Sequence, residues 1–229
     1  MTNAPEIVLG VTGSIGAYRA GDLIRQLRDT GFAVTCVLTQ RAAKFITPLT
    51  LQALSERKAY TEMFDLDTPQ IIHTTLADHA RLILVAPATA NIIGKCANGL
   101  ADDLLSCVLL ATRAKILFAP AMNVHMWQHP TVQRNVTALK RLGVRFIGPE
   151  IGKLACGYEA IGHLAETEEI VRAAKQLVPV VGSPPLPTTT PARRPAVTAA
   201  RRPSSRPSRN SRLSAVAKRR QAGKATRRR

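Results

Sequence analysis

Apolar residues in this chain fall into short unbroken runs, separated by stretches in which they recur every three or four positions. The runs are IVLGV (7–11), AVTCVL (33–38), LILVA (82–86), KILFA (115–119) and VRFI (144–147). Runs of this length without polar alternation predict strands buried on both faces. Between the first two, Ala17, Leu23, Ile24 and Leu27 share one helical face. Helices are also expected over 101–112, over 131–142 just after Pro130, and in the stretch that ends before residue 179. Strand alternating with helix predicts an α/β fold built on a doubly wound parallel sheet. Ligands of such sheets sit at the carboxyl ends of the strands, and the polar motifs of this chain fall at those ends.

The pattern stops near PVVGSPPLP (179–187). Beyond it Pro, Ser, Thr, Ala and Arg dominate, without an aromatic residue. Such a segment buries too little apolar surface to offset its backbone entropy, so two regions are expected: a folded domain over 1–180 and a disordered basic tail over 181–229. The formal net charge of +17 belongs mostly to that tail. Of the 32 Lys and Arg residues, 14 lie in 183–229 with no acidic residue among them; the other 18 face 15 acidic residues. The domain is therefore nearly neutral. No window approaches 18 uninterrupted apolar residues, and no basic stretch precedes a long apolar one at the N-terminus, so neither a membrane span nor a signal peptide is expected. Cys36, Cys96, Cys107 and Cys156 show no CxxC spacing, which fits a reduced cytoplasmic setting.

The candidate chemistry lies at the strand ends. GVTGSIGAYRA (10–20) reads as strand, glycine-rich turn and helix start; glycine lets backbone approach a ligand, and a helix N-terminus favours phosphate. Its GxxGxxG spacing differs from the GxGxxG of dinucleotide binders, and a tight structural turn is the competing reading. Thr39 ends the second strand, as a ligand hydroxyl or a helix cap. Thr89, Ala90 and Asn91 end the third, as donors or as tight packing between helices. Asp102 and Asp103 are adjacent and would diverge on a helix, so a charge at a helix start is expected there and no metal site. His73 opens on a short helical stretch, and His79, His125, His129 and His163 carry weaker signals. Cys156 lies in a glycine-containing loop, where an inert thiol and a reactive one both fit; the other three cysteines sit inside expected elements.

Seven stretches, GSIGAY, TPLTLQALS, HTTLA, APATANIIGK, GLADDLL, APAMNVHMWQHPTVQRN and LACG, occur in this order over about residues 6 to 178. In this the chain resembles the flavin-containing cysteine decarboxylases, and within them the phosphopantothenoylcysteine branch, which includes the N-terminal half of bifunctional coenzyme A biosynthesis proteins. The resemblance implies a Rossmann-like sheet of flavoprotein type. It implies FMN, with no nicotinamide dinucleotide, held by Gly13, Ser14, Ile15, Thr39, Thr89, Ala90, Asn91 and Ala121. It implies His73 as acid–base or positioning residue, Asn123 as binder of the substrate carboxylate, and Cys156 as proton donor. The implied reaction converts 4'-phosphopantothenoyl-L-cysteine to 4'-phosphopantetheine by oxidation to a thioaldehyde, loss of CO2 and re-reduction of the enethiol. A homo-oligomer, a trimer or a dodecamer built from trimers, with FMN at a subunit interface, is implied as well.

Two departures from the family pattern stand out. After Cys156, Tyr158 replaces an acid, Ala160 a glycine, His163 an arginine and Leu164 a methionine, in the segment that forms the family's flap over the substrate. His163 replaces that arginine's fixed cation only when protonated. The second departure is the tail, where bifunctional relatives carry a synthetase domain; it reads as a truncated or frameshifted synthetase half or as an acquired basic extension. Rival functions are a flavin prenyltransferase, a peptidyl-cysteine decarboxylase of the same family, a catalytically idle regulatory subunit, and, in another class, nucleic-acid binding through the tail.

Overall fold

The expected runs become a five-stranded parallel sheet in the computed structural model, which describes residues 4–64, 71–154, 157 and 159–179. The strands are β1 (Glu6–Val11), β2 (Ala33–Leu38), β3 (Leu82–Ala88), β4 (Lys115–Pro120) and the short β5 (Arg145–Phe146), in the order β2-β1-β3-β4-β5. Side chains alternate across the sheet. Leu9, Leu84 and Leu117 enter one core with α1 (Ala20–Asp29), α2 (Pro48–Ser55) and α8 (Thr167–Leu177). Val8, Ile83 and Phe118 enter the other with α3 (Ile72–His79), α4 (Ala90–Ala97), α5 (Leu104–Ala111) and α7 (Pro130–Arg141). Burial on both faces is the physical reason the strands lack polar alternation.

Two helices start later or earlier than their apolar pattern suggests. The helix expected from 101 begins at Leu104, because Asp103 caps it: Asp103 Oδ1 accepts from Ser106 N at 2.8 Å and Ser106 Oγ accepts from Asp103 N at 3.0 Å. The charge expected at a helix start is thus a capping box. The helix expected from 131 includes Pro130 as its first residue, where a missing N–H costs nothing. A short 3-10 helix (Ile15–Arg19) leads into α1, and α6 (Val124–Gln128) follows β4.

The stretch after 149, read from sequence as a glycine-containing loop, holds an antiparallel hairpin: β6 (Glu150–Lys153) and β7 (Glu159–His163). It stands apart from the main sheet and packs on α6. Cys156, Tyr158 and the tail lie outside the described residues. Among the described residues no helix is long and apolar enough to cross a membrane.

Candidate active site

In the order 2-1-3 the winding of the sheet switches direction at β1 while the strands stay parallel, so the loops leaving β1 and β3 turn to opposite faces and open a crevice. Two cavities occupy this end of the sheet. One, of about 550 Å³, is lined by Gly13, Thr39, Thr89, Asn91, Lys95 and Asp103, among others. The second, of about 610 Å³, is lined by Ser14, Ile15, Ala121 and Asn123 on the sheet side and by the β6–β7 hairpin on the other. They meet at the consecutive residues Gly13 and Ser14. Ala90 opens α4 directly after Thr89.

Thr12, which the sequence analysis passed over, ties the crevice together. Its hydroxyl donates to Pro87 O at 2.7 Å and accepts from Thr89 N at 3.1 Å. β3 bulges between Val85 and Ala88, where the proline cannot donate to a neighbouring strand. Thr12 thus stitches the β1 loop to the irregular end of β3. Thr39 serves as a local cap, accepting from Ala42 N at 3.2 Å. Gly13 has a reason other than ligand approach. A Cβ there would lie 2.5 Å from Arg41 Cβ, so the glycine lets the β2 loop close against the β1 loop.

In the first cavity one ammonium meets two carboxylates. Lys95 Nζ lies 2.6 Å from both Asp102 Oδ1 and Asp103 Oδ2. Burial pulls the Lys95 ammonium pKa down, yet hydrogen bonds and charges from the two aspartates outweigh it and leave the pKa above its ordinary value. The hydrogen bond from Lys95 holds Asp102 below the usual carboxylate range. Among the described residues no cluster of three or more His, Cys, Asp or Glu could hold a metal ion. Further donors around the crevice include the Ser14 hydroxyl, which makes no cap bond, the hydroxyls of Thr39 and Thr89, the Asn91 carboxamide and the Arg41 guanidinium. A hydroxyl-rich donor set with one arginine, at strand ends beside the apolar Ile15 and Ala121, suits a ligand with one phosphate, a polyol chain and a flat apolar ring. The residues present therefore fit FMN.

Asn123 sits where β4 ends and α6 begins. Oδ1 accepts from His125 N at 2.8 Å, capping α6. Capping fixes the amide plane and so fixes the direction of the NH2 end beside the cavity. His129 is likewise a cap, its Nδ1 accepting from Thr131 N at 3.2 Å. His73 is the second residue of α3, inside the helix instead of before it, and lines neither cavity. Burial pushes the Cys36 thiol up to about 12 and that of Cys96 to about 11. Burial also raises Cys107, which is half-buried with Sγ 3.3 Å from Ala101 O. These three thiols stay protonated at neutral pH and are poor nucleophiles.

The hairpin is pinned to the sheet beside Asn123. Met122 N donates to Gly162 O at 3.0 Å, and Gly162 has φ 143°, with the site of a Cβ only 2.2 Å from Met122 O. Only glycine permits this approach. The pin brings Lys153, Leu154 and His163 over the second cavity.

The family model described as Flavoprotein matches residues 1–179. The coenzyme A biosynthesis bifunctional protein of Bacillus subtilis is 48% identical over 177 residues, which is 77% of this chain and 44% of that protein. The probable phosphopantothenoylcysteine decarboxylase of Streptococcus mutans is 41% identical over 174 residues, 75% of this chain and 97% of that one. The chain thus spans less than half the length of the bifunctional relatives it matches. Among solved structures, a cysteine-to-serine mutant of PPC decarboxylase complexed with pantothenoylaminoethenethiol superposes with a TM-score of 0.69 at 30% identity, covering 76% of this chain and 98% of its own. The FMN-dependent cysteine decarboxylase SpaF superposes with a TM-score of 0.66 at 31% identity, covering 76% and 97%.

Proposed function

The chain belongs to the Flavoprotein family, and on that premise we propose that it is a carboxy-lyase that uses FMN to convert 4'-phosphopantothenoyl-L-cysteine to 4'-phosphopantetheine. The observation that carries this reading is the meeting, at Gly13 and Ser14, of a hydroxyl-lined cavity and a cavity floored by Asn123. Gly13, Ser14, Ile15, Thr39, Thr89, Ala90, Asn91 and Ala121 would hold the FMN. When bound, FMN supplies a reversible two-electron acceptor, without which loss of CO2 would leave an unstabilised carbanion.

The side chains of the chain bind, orient and move a proton. With Oδ1 held by His125 N, the NH2 end of Asn123 donates to the substrate carboxylate. A neutral donor orients that group without adding a charge, and a dry surrounding strengthens the bond. Leu154, Leu164 and Met122 line the same cavity and exclude water. Replacing a carboxylate by a C–H bond consumes one proton, and Cys156 is assigned to deliver it. The complex of a cysteine-to-serine PPC decarboxylase with pantothenoylaminoethenethiol supports this, since an enethiol is the species left when that last proton is missing. His73 acts as acid–base or positioning group. Among the described residues it lines neither cavity, and a neighbouring subunit would be one way to bring it to a site. We read the assembly as a homo-oligomer, a trimer or a dodecamer built from trimers, which would cover the exposed Ile15, Tyr18, Phe64 and Met126. We place the enzyme in the cytoplasm and its whole activity in residues 1–180, so that a chain lacking 183–229 decarboxylates as the full chain does.

The test is direct. The purified chain should be yellow, release FMN on denaturation and liberate CO2 from 4'-phosphopantothenoylcysteine. A colourless protein that takes up no FMN overturns the reading. Turnover of a peptide ending in cysteine, with none of the phosphorylated substrate, would place the chain instead with the peptidyl-cysteine decarboxylases, to one of which it is 26% identical.

A further inference from the structure

The lining of the cavity beneath the hairpin combines groups of different electrical character. Asn123, a neutral amide, is at the end of β4. Lys153 on β6 and His163 on β7 bring cationic capacity from the hairpin, and among the described residues no carboxylate lines the cavity. Among the described residues neither of these two side chains has a hydrogen-bond or ion-pair partner, whereas Arg19, the remaining cation of the lining, is already paired with Glu166 and donates to Leu164 O. Glu150 and Glu159 stand opposite His163 and Lys153 in the ladder, but Glu150 accepts from Glu166 N and neither lines the cavity. Gly152 makes room for the imidazole: a Cβ there would lie 3.1 Å from His163 Cβ and Cγ.

We propose that Lys153 and His163 bind the phosphate of the substrate, leaving its carboxylate to Asn123; this rests on the reading given under Proposed function. The reason is the fate of each charge. The carboxylate loses its charge as CO2 forms, so a cation beside it would stabilise the reactant more than the transition state and slow the reaction. The phosphate keeps its charge from substrate to product. A cation there binds both states equally and acts on KM without cost to kcat. A neutral amide at the end of β4 and separate basic side chains on the hairpin match those two requirements.

The test uses the full chain loaded with FMN and two substrates, with and without the phosphate, together with calorimetric binding of 4'-phosphopantetheine and pantetheine. The wild-type chain should prefer the phosphorylated member of each pair, for the substrates through KM. His163→Gln and Lys153→Gln should each shrink both preferences, on the order of tenfold for a lost charge-assisted bond. Gly152→Ala should do so more weakly by displacing the ring, and His163→Arg should retain them. Unchanged preferences in both Gln variants, or an equal fall in kcat on both substrates, overturns the assignment. If the wild-type chain decarboxylates both substrates with no preference, the function stands and this inference alone falls. If it decarboxylates neither, both fall.

Discussion

The loops at the carboxyl end of the sheet and the β6–β7 hairpin face the same ligand space but are held in different ways. The loops are cross-linked many times over, by the Thr12 hydroxyl to β3, by Gly13 against Arg41, and by Lys95 between two aspartates. Among the described residues the hairpin joins the strand end through one backbone bond, Met122 N to Gly162 O. Rigidity is thus concentrated where the cofactor and carboxylate are to be placed. On the proposed reading, the contacts to the far part of the substrate would sit on the less tightly held element.

Four substitutions probe this division. The largest effect is expected at Asn123→Asp. Asp caps a helix as well as Asn does, so the bond to His125 N survives, while the NH2 donor is lost and a second carboxylate appears. Activity should fall by about a hundredfold or more, the scale for removing one oriented donor from a reacting group, with flavin content and Tm unchanged. Full activity would show that Asn123 is a cap and nothing else. Gly162→Ala comes next. The strained φ and the close carbonyl cost roughly 1–3 kcal/mol, so Tm should drop and KM rise while FMN stays bound. Loss of FMN instead would show that hairpin and loops are one unit.

Thr12→Val tests the loops. It leaves Thr89 N and Pro87 O without their bonds and should cost about 1–2 kcal/mol, read as weaker FMN affinity with the substrate preference intact. The smallest effect belongs to Lys95→Met, because the Asp102 side chain is 65% exposed and solvent screens the pair. The sign is definite. Asp102 is held below its ordinary pKa, so its contribution is present at neutral pH and lost as pH falls through the lowered value. The raised Lys95 contributes until pH climbs through its own raised value. A pH series of Tm for wild type and variant should converge in acid and separate at neutral pH.

The sheet was legible because its signals are local. Unbroken runs such as AVTCVL coincide with the observed strand, and the expected 82–86 and 115–119 differ from β3 and β4 only by Pro87, Ala88 and Pro120. Helix starts moved by the reach of caps, as at Asp103. The hairpin was not legible as strands. EIGK alternates between half-buried and exposed, offers one aliphatic residue and includes a glycine, so its pairing is decided by β7 and the β4 loop. Thr12 was missed for a similar reason: its partner Thr89 is 77 residues away, and a threonine at a strand end looks the same with or without one. At the site, residue types alone marked the strand ends as polar. The particular weight on Asn123, His73 and Cys156 came from the order of seven motifs. That Lys153 and His163 share a cavity follows from pairing across the hairpin, which no linear spacing reveals.

The single bond at Gly162 also marks a seam along which evolution, or an engineer, can cut. The two described strands of the hairpin, β6 and β7, meet the β4 loop at the return strand. Grafting the matching segment from a relative that acts on peptides would exchange the recognition of the distant part of the substrate. On the proposed reading Cys156 would travel with the graft, so the recipient would keep its cofactor loops and Asn123 and would take its thiol, together with its recognition surface, from the donor.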